Sequence, residues 1–338
     1  TLSEGSRICM QRQLTFGGGV SPRGTLLRGQ SVIEYVLIIA IIGLVIVFAG
    51  PSVAGAIRNQ FNLVGNTVNN GTTGGVEGGA SGGGSAGADS ATVQAAVAKD
   101  AKDWTLEEQK AVAEDIASKG EASPAYAKAK AAMDAGTKFS MKLTDGQTLE
   151  YRIIGINHDD LADGTGKAGL TFLTTSTDIS SRMNAMKTSD GGWEASELRA
   201  KMNSGEIWNL MPADFQSKVK SVRKLTNNVG GGNANKNAAV TATSDKLFLL
   251  SYSEIVPTSY WASDYPWSSS EGTQYEAFKG KVMNSYSDNP AIASGSYWWE
   301  RSVRPDHSTF FLRVHAGGDP AISDNATVSN CVRPAWCF

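Results

Sequence analysis

The chain has 338 residues, with 31 Lys and Arg against 33 Asp and Glu and a formal charge of -2. That balance gives no general electrostatic attraction to nucleic acid, so no nucleic-acid partner is expected. The length allows a membrane or filament helix plus one large domain or two small ones. Residues 1–29 carry Arg7, Arg12, Arg23 and Arg28 against a single acid, Glu4, and the positive-inside rule keeps such an end cytoplasmic. An initiating Met10 gives a shorter leader that is still basic. From Tyr35 to Ile57 no residue is charged, and as a helix this run reaches roughly 35 Å, enough to cross a hydrocarbon core. Glu34 stands at its start, where an ionised carboxylate is costly unless something pairs with it.

The run Arg28-Gly29-Gln30-Ser31-Val32-Ile33-Glu34-Tyr35, leading into Val36 to Phe48, resembles the N-terminus of type IV prepilins. The Glu34-Tyr35 pair is similar to the Flp (Tad) branch. The resemblance implies that a prepilin peptidase cuts after Gly29, that Gln30 becomes the first residue, and that its freed amine neutralises Glu34 of the neighbouring subunit. It also implies residence in the cytoplasmic membrane as a prepilin, then in an extracellular pilus beside other pilin subunits. Two alternatives stay open. Ala54-Gly55-Ala56 imitates a signal-peptidase site, and an uncleaved signal anchor accounts for the apolar run but not for Gly29 or Glu34. Gly50-Pro51 predicts a kink in a helix spanning 30–70.

Residues 71–90 read as a flexible tether, because half of the stretch from Gly71 to Ala88 is glycine and such a composition buries too little surface to fold. The rest, 91–338, is a helical lead-in and a domain rich in aromatic residues. Two short helices are predicted between Ala91 and Ala135, separated near Gly120 to Pro124, with Thr105 as a cap followed by Glu107 and Glu108. Phe139 to Thr144 and Leu149 to Ile154 alternate as strands around an Asp145-Gly146 hairpin turn. Asp159, Asp160 and Asp163 before Gly164 lack the alternate-residue spacing of a calcium loop and read as a turn. A helix is expected over Glu194 to Met202, another around Phe215 to Val222, and a buried strand from Asp245 to Ser251.

Five stretches in order resemble the bacterial family DUF6273, whose fold is similar to the C-type-lectin-like and formylglycine-generating-enzyme folds. They are Ile153 to Asp160, Gly192-Trp193 with Leu198-Arg199, Thr243 to Ser251, Trp298-Trp299-Glu300-Arg301-Ser302, and Val332 to Phe338. The resemblance extends over Trp104 to Phe338. It implies an α+β domain with a small twisted antiparallel sheet in which the last strand is central.

No enzyme is predicted, and no cofactor or metal. The outer domain has only Cys331 and Cys337, held too far apart for a disulfide if one extended strand carries both, which leaves them unpaired or linked by a turn. His158, His307 and His315 are its only histidines, and G-x-S-x-G is absent. The segment from Val303 to Asn330 lacks a clear hydrophobic period. It mixes donors, acceptors and rings in a way that suits a recognition surface for an extracellular glycan or protein. If Thr309 to Val314 is a strand, Phe310, Leu312 and Val314 face the core and Phe311 and Arg313 face outward. The predicted ligand contacts are therefore Arg304, Asp306, His307, Phe311, Arg313, His315, Asp319, Asp324 and Asn325. Trp298 and Trp299 are expected to pack. The layout of a fixed frame around a polar segment resembles the targets of diversity-generating retroelements, which implies variation concentrated between Val303 and Asn330.

Overall fold

A computed structural model describes residues 90–338. Gly29, Gln30, Glu34, Tyr35, the apolar run and the Gly-rich stretch lie outside the described residues. Among the described residues no helix is long and apolar enough to cross a membrane.

The lead-in is helical. Ser90 caps α1 (Ala91–Val97) by accepting from the Val93 N–H. The Thr105 hydroxyl accepts from the Glu108 N–H while the Glu108 carboxylate accepts from the Thr105 N–H. This reciprocal box starts α2 (Leu106–Lys119) and is worth about 1 kcal/mol. After α2 stops at Gly120, α3 (Tyr126–Ala135) follows and ends on left-handed Gly136. Val112, Ile116, Ala129 and Met133 are buried, and α2 and α3 lie against the first sheet.

That sheet has the order β1-β2-β3-β11, formed by Lys138–Lys142, Thr148–Ile156, Leu170–Thr174 and Ala335–Cys337, and all its pairs are antiparallel. The β1–β2 hairpin turns at Asp145-Gly146, where Gly146 takes a φ of 87° and the Asp145 carboxylate accepts from the Gln147 N–H. β11 bonds β3 on one edge, and on the other Ala335 exchanges two hydrogen bonds with Phe248 while Cys337 accepts from the Lys220 N–H. The final strand therefore has partners on both sides, as a central strand requires.

Four short helices follow: α4 (Gly192–Ala195), α5 (Glu197–Asn203), α6 (Glu206–Leu210) and α7 (Ala213–Gln216). The single helix expected over Glu194 to Met202 is broken at Ser196, whose hydroxyl instead caps α5 through the Arg199 N–H. The helix expected around Phe215 to Val222 stops at Gln216, because the chain turns there and Val222 opens a strand. That strand, β5 (Val222–Asn227), makes a two-stranded antiparallel ribbon with β6 (Val240–Asp245). The strand expected from Asp245 to Ser251 is not continuous. Leu247 to Leu250 are buried, but Phe248 pairs with Ala335 of the first sheet while the Leu250 carbonyl accepts from the Arg301 N–H, and Ser251 already caps α8 (Tyr252–Ile255).

A second sheet, ordered β4-β10-β7-β8-β9, is built from Ser180–Ser181, Asn330–Cys331, Trp298–Val303, Phe310–Val314 and Ile322–Asn325. Its pairs are antiparallel except β10 with β7, which is parallel. The domain is α+β, but three small sheets replace the single antiparallel one expected. β10 and β11 belong to different sheets, joined by Val332-Arg333-Pro334, so Cys331 and Cys337 do not share a strand and are not bonded to each other. Arg333 ties the sheets together: its Nε donates to the Thr174 carbonyl (2.7 Å) and its guanidinium lies 4.7 Å from the Trp298 ring.

Trp336 on β11 is fully buried, with ring centroids 4.8 Å from Tyr151, 5.1 Å from Phe215 and 5.8 Å from Phe172.

Candidate binding site

β7 is buried along all six residues and carries three polar side chains in succession, Glu300, Arg301 and Ser302. A charged group without water needs a partner of opposite sign and a bond for each donor. Arg301 finds both. Its Nη1 and Nη2 donate to the two oxygens of Glu254 (2.5 and 3.0 Å), and carbonyls of Leu225, Leu249 and Glu271 take its remaining N–H groups. Lys224 on β5 extends the array, 2.5 Å from Glu254 and 2.6 Å from Asp159. The register of the antiparallel bridge Leu161 to Val222 sets Asp159 opposite Lys224. Burial raises the Glu254 carboxyl, but Arg301 and Lys224 outweigh it and hold it below the usual carboxylate range. Asp159 is held low in the same way, by Lys224 and then His158 acting against burial.

Two neighbouring acids behave oppositely. Glu271 is pushed up to about 7 by burial, although Ser302 Oγ (2.5 Å) and the Asn227 N–H (2.9 Å) donate to it. Burial lifts Glu300 well above the ordinary range, and the nearby Glu271 adds to that. Neither Glu300 oxygen has a hydrogen-bond partner among the described residues, so no bond offsets the burial that disfavours its charged form. Of these groups the sequence places Asp159 in a turn and Glu300 and Arg301 in a stretch that resembles the family, and it assigns a role to none of them. Charged residues inside Trp298-Trp299-Glu300-Arg301-Ser302 and at alternate positions of β5 were the available signal.

β7 ends where the predicted contacts begin. Arg304 Nε and Nη2 donate to the Asp306 carboxylate (2.6 and 3.3 Å), and Nη1 donates to Ser323 Oγ (3.0 Å). The bond from Arg304, reinforced by its charge, draws the Asp306 carboxyl down against partial burial. His307 stacks flat on Phe310, centroids 4.3 Å apart. This turn rests on the backbone of Gly230-Gly231-Gly232. The Gly232 N–H donates to the Pro305 carbonyl (2.9 Å), and a Cβ on Gly231 would lie 2.0 Å from the Arg304 carbonyl oxygen and 2.2 Å from that of His307. Only glycine admits so close an approach.

Arg304 and Asp306 form one wall of a cavity of about 690 Å³. The aromatic residues Tyr260, Trp261 and Tyr265 line it too, as do Lys236 and Asp264. Tyr260 is 56% exposed. Its ring meets Trp261 edge to face at 5.4 Å and Tyr286 at 5.1 Å. The sequence reading missed these rings, although Ser259-Tyr260-Trp261-Ala262-Ser263-Asp264-Tyr265 mixes rings and short polar groups as densely as the segment it singled out.

The other predicted contacts gather elsewhere. Arg313 Nη1 pairs with Asp324 (2.6 Å) and donates to Asn330 Oδ1 (3.0 Å), and its guanidinium sits 4.1 Å from the Tyr297 ring. His315 meets the edge of Tyr297 and accepts at Nδ1 from the Gly317 N–H. The Asp319 carboxylate accepts from the Ala321 N–H, and Asn325 holds the Thr327 N–H and hydroxyl. None of these lines the cavity. Phe311 is a correction: it is completely buried. Residues of both faces of β8 are buried, Phe311 on one and Leu312 and Val314 on the other. Period-two alternation in β8 therefore does not separate core from solvent. Trp298 and Trp299 are both buried, as expected.

Among the described residues no three His, Cys, Asp or Glu side chains converge closely enough to hold a metal ion. His158 stacks on Tyr275 at 4.1 Å and bonds Glu276, far in sequence from His307 and His315. No curated protein and no solved structure matches the chain. The model of one family, DUF6273, described as a domain of unknown function, matches residues 168–338. The match takes in both helices of the α4–α5 pair, the ribbon, β7 and β11, together with the cavity, but not the lead-in helices or Ile153 to Asp160. With half of its length in that match, the chain belongs to the DUF6273 family.

Proposed function

We propose that the chain is a Flp-type pilin subunit, a minor one, whose C-terminal domain binds an extracellular ligand through the cavity beside Arg304 and Asp306. The observation that carries the binding half is the convergence of a polar turn and an aromatic loop, distant in sequence, on one cavity. Pockets of this size with rings and a few placed polar groups are the usual form of a ligand site. The pilin half rests on Gly29, Gln30, Glu34 and Tyr35 before an uncharged apolar run. A domain of this bulk on every subunit would crowd a thin filament, hence the minor role. The prepilin peptidase and other pilin subunits are the partners of the N-terminus, and the route runs from cytoplasmic membrane to extracellular pilus. The retroelement reading draws on the exposed members of the segment, among them Asp306 and His307 with half-buried Arg304, since buried Phe311, Leu312 and Val314 leave no room for diversification.

Filaments sheared from cells making the protein test this reading by N-terminal mass spectrometry. A chain starting at Gln30 in the sheared fraction supports it. A chain that keeps its leader and stays with the membranes favours the second reading, a surface-anchored binding protein with an uncleaved signal anchor, for which the apolar run alone is sufficient.

A further inference from the structure

The cavity's own chemistry narrows the ligand, given the binding role proposed above, on which this inference rests. Its charged groups are two cations, Lys236 and Arg304, and two carboxylates, Asp264 and Asp306, so their formal charges cancel. An anionic ligand meets two carboxylates there and a cationic ligand meets two cations. Each costs desolvation that the opposite pair only partly offsets. Lys and Arg can only donate hydrogen bonds, whereas ionised carboxylates can only accept them. A ligand that satisfies all four must offer donors and acceptors together while remaining uncharged. Hydroxyl groups do both at a single atom.

The rings add a second condition. Tyr260 is more than half exposed although Trp261 and Tyr286 flank it, so it offers aromatic surface to an apolar group. Rings supply such contact area at low conformational cost. A ligand with hydroxyls around its rim and C–H groups on its face meets both conditions. Tyr286 is 64% exposed and its ring lies 5.1 Å from Tyr260, which extends the aromatic surface beyond the cavity mouth for a neighbouring unit of the same kind. An apolar peptide anchor would instead cover Lys236 and Asp264 without offering either a partner.

We propose that this cavity binds a neutral saccharide, one sugar ring lying on Tyr260 with its hydroxyls held by Arg304, Asp306, Asp264 and Lys236. Binding is tested with the full chain in detergent on a printed slide carrying neutral hexose and N-acetylhexosamine glycans, sialylated and uronic-acid glycans, and a peptide library. The expected result is retention on neutral glycans, weakened at least tenfold by Tyr260→Ala and by Asp264→Asn. Both residues are exposed, and an unchanged melting temperature shows that each variant is folded. Retention on acidic glycans or on peptides alone overturns the saccharide assignment and leaves the binding reading standing. So does neutral-glycan retention that both folded variants keep, since the sugar then sits elsewhere. A blank slide with folded protein overturns both.

Discussion

Arg301 and Arg304 stand three positions apart, each bonded to a carboxylate, yet the two pairs serve different ends. The Arg301–Glu254 pair is dry, with side chains 0% and 3% exposed, whereas the Arg304–Asp306 pair is 34% and 41% exposed. Arg301 spends every donor on the protein, satisfying carbonyls of three segments as well as Glu254. Arg304 fixes the shape of a turn and keeps contact with solvent. A buried charge without water is strongly destabilising once its partner is gone, while water replaces the partner of an exposed one. The same guanidinium–carboxylate contact is thus a dry structural joint on one side of Val303 and a solvent-exposed pair on the other.

The comparison breaks first at Glu254. Glu254→Ala leaves Arg301 without its carboxylate and Lys224 with Asp159 alone, and should cost about 3–5 kcal/mol, measured by chemical denaturation; a loss under 1 kcal/mol would mean that water reaches the array. Gly231→Ala comes next. Its Cβ has no space against two carbonyl oxygens, and relief by backbone shift costs about 1–3 kcal/mol. Because the shift displaces the Arg304–His307 turn, ligand affinity should fall alongside the melting temperature.

Glu271 sharpens the comparison through pH. Its folded value, about 7, lies above the ordinary 4.5, so between those pH values the folded state holds more protons than the unfolded chain. Stability from this group is complete below the lower value and declines as pH rises toward 7. Glu271→Gln should flatten that decline in thermal melts taken from pH 5 to 7.5; an unaltered slope would assign it to another group. Asp159 and Glu254 act in the opposite sense, with depressed values, so their contribution is lost in acid below the ordinary carboxylate range. The smallest effect belongs to Arg304→Ala, which should change stability by less than about 1 kcal/mol while abolishing ligand retention. Equal damage to both would make Arg304 a second structural joint.

Local signals were legible in the sequence wherever the local chain decides the outcome. Thr105 with Glu108, and Asp145-Gly146 between alternating strands, act over a few residues, and both are found as expected. Trp298 and Trp299 were legible as frame because rings of that size seldom remain exposed. The misreadings share a physical cause. Phe311 and Leu247 to Leu250 lie where cover arrives from distant segments, so neither a period of two nor an apolar run reports the pairing. The Asp159–Lys224–Glu254–Arg301 array draws on four separate stretches of chain, and no spacing rule joins them. Arg304 and Asp306 were legible as candidates, but the rings that line the same cavity come from a loop some forty residues earlier, and only the folded chain unites the two.

The first sheet closes when residues 335–337 bond to 171–173, across most of the domain's sequence. Contacts of such separation are entropically slow to form, because a long loop must close before any bond rewards it. Refolding of this domain should therefore be limited by capture of the last strand, and the amides of β3 should exchange with solvent only through global unfolding. Until that strand docks, the edges at Phe248 and Leu173 stand open, and the interval before completion is when the polypeptide is most prone to pair with a neighbour.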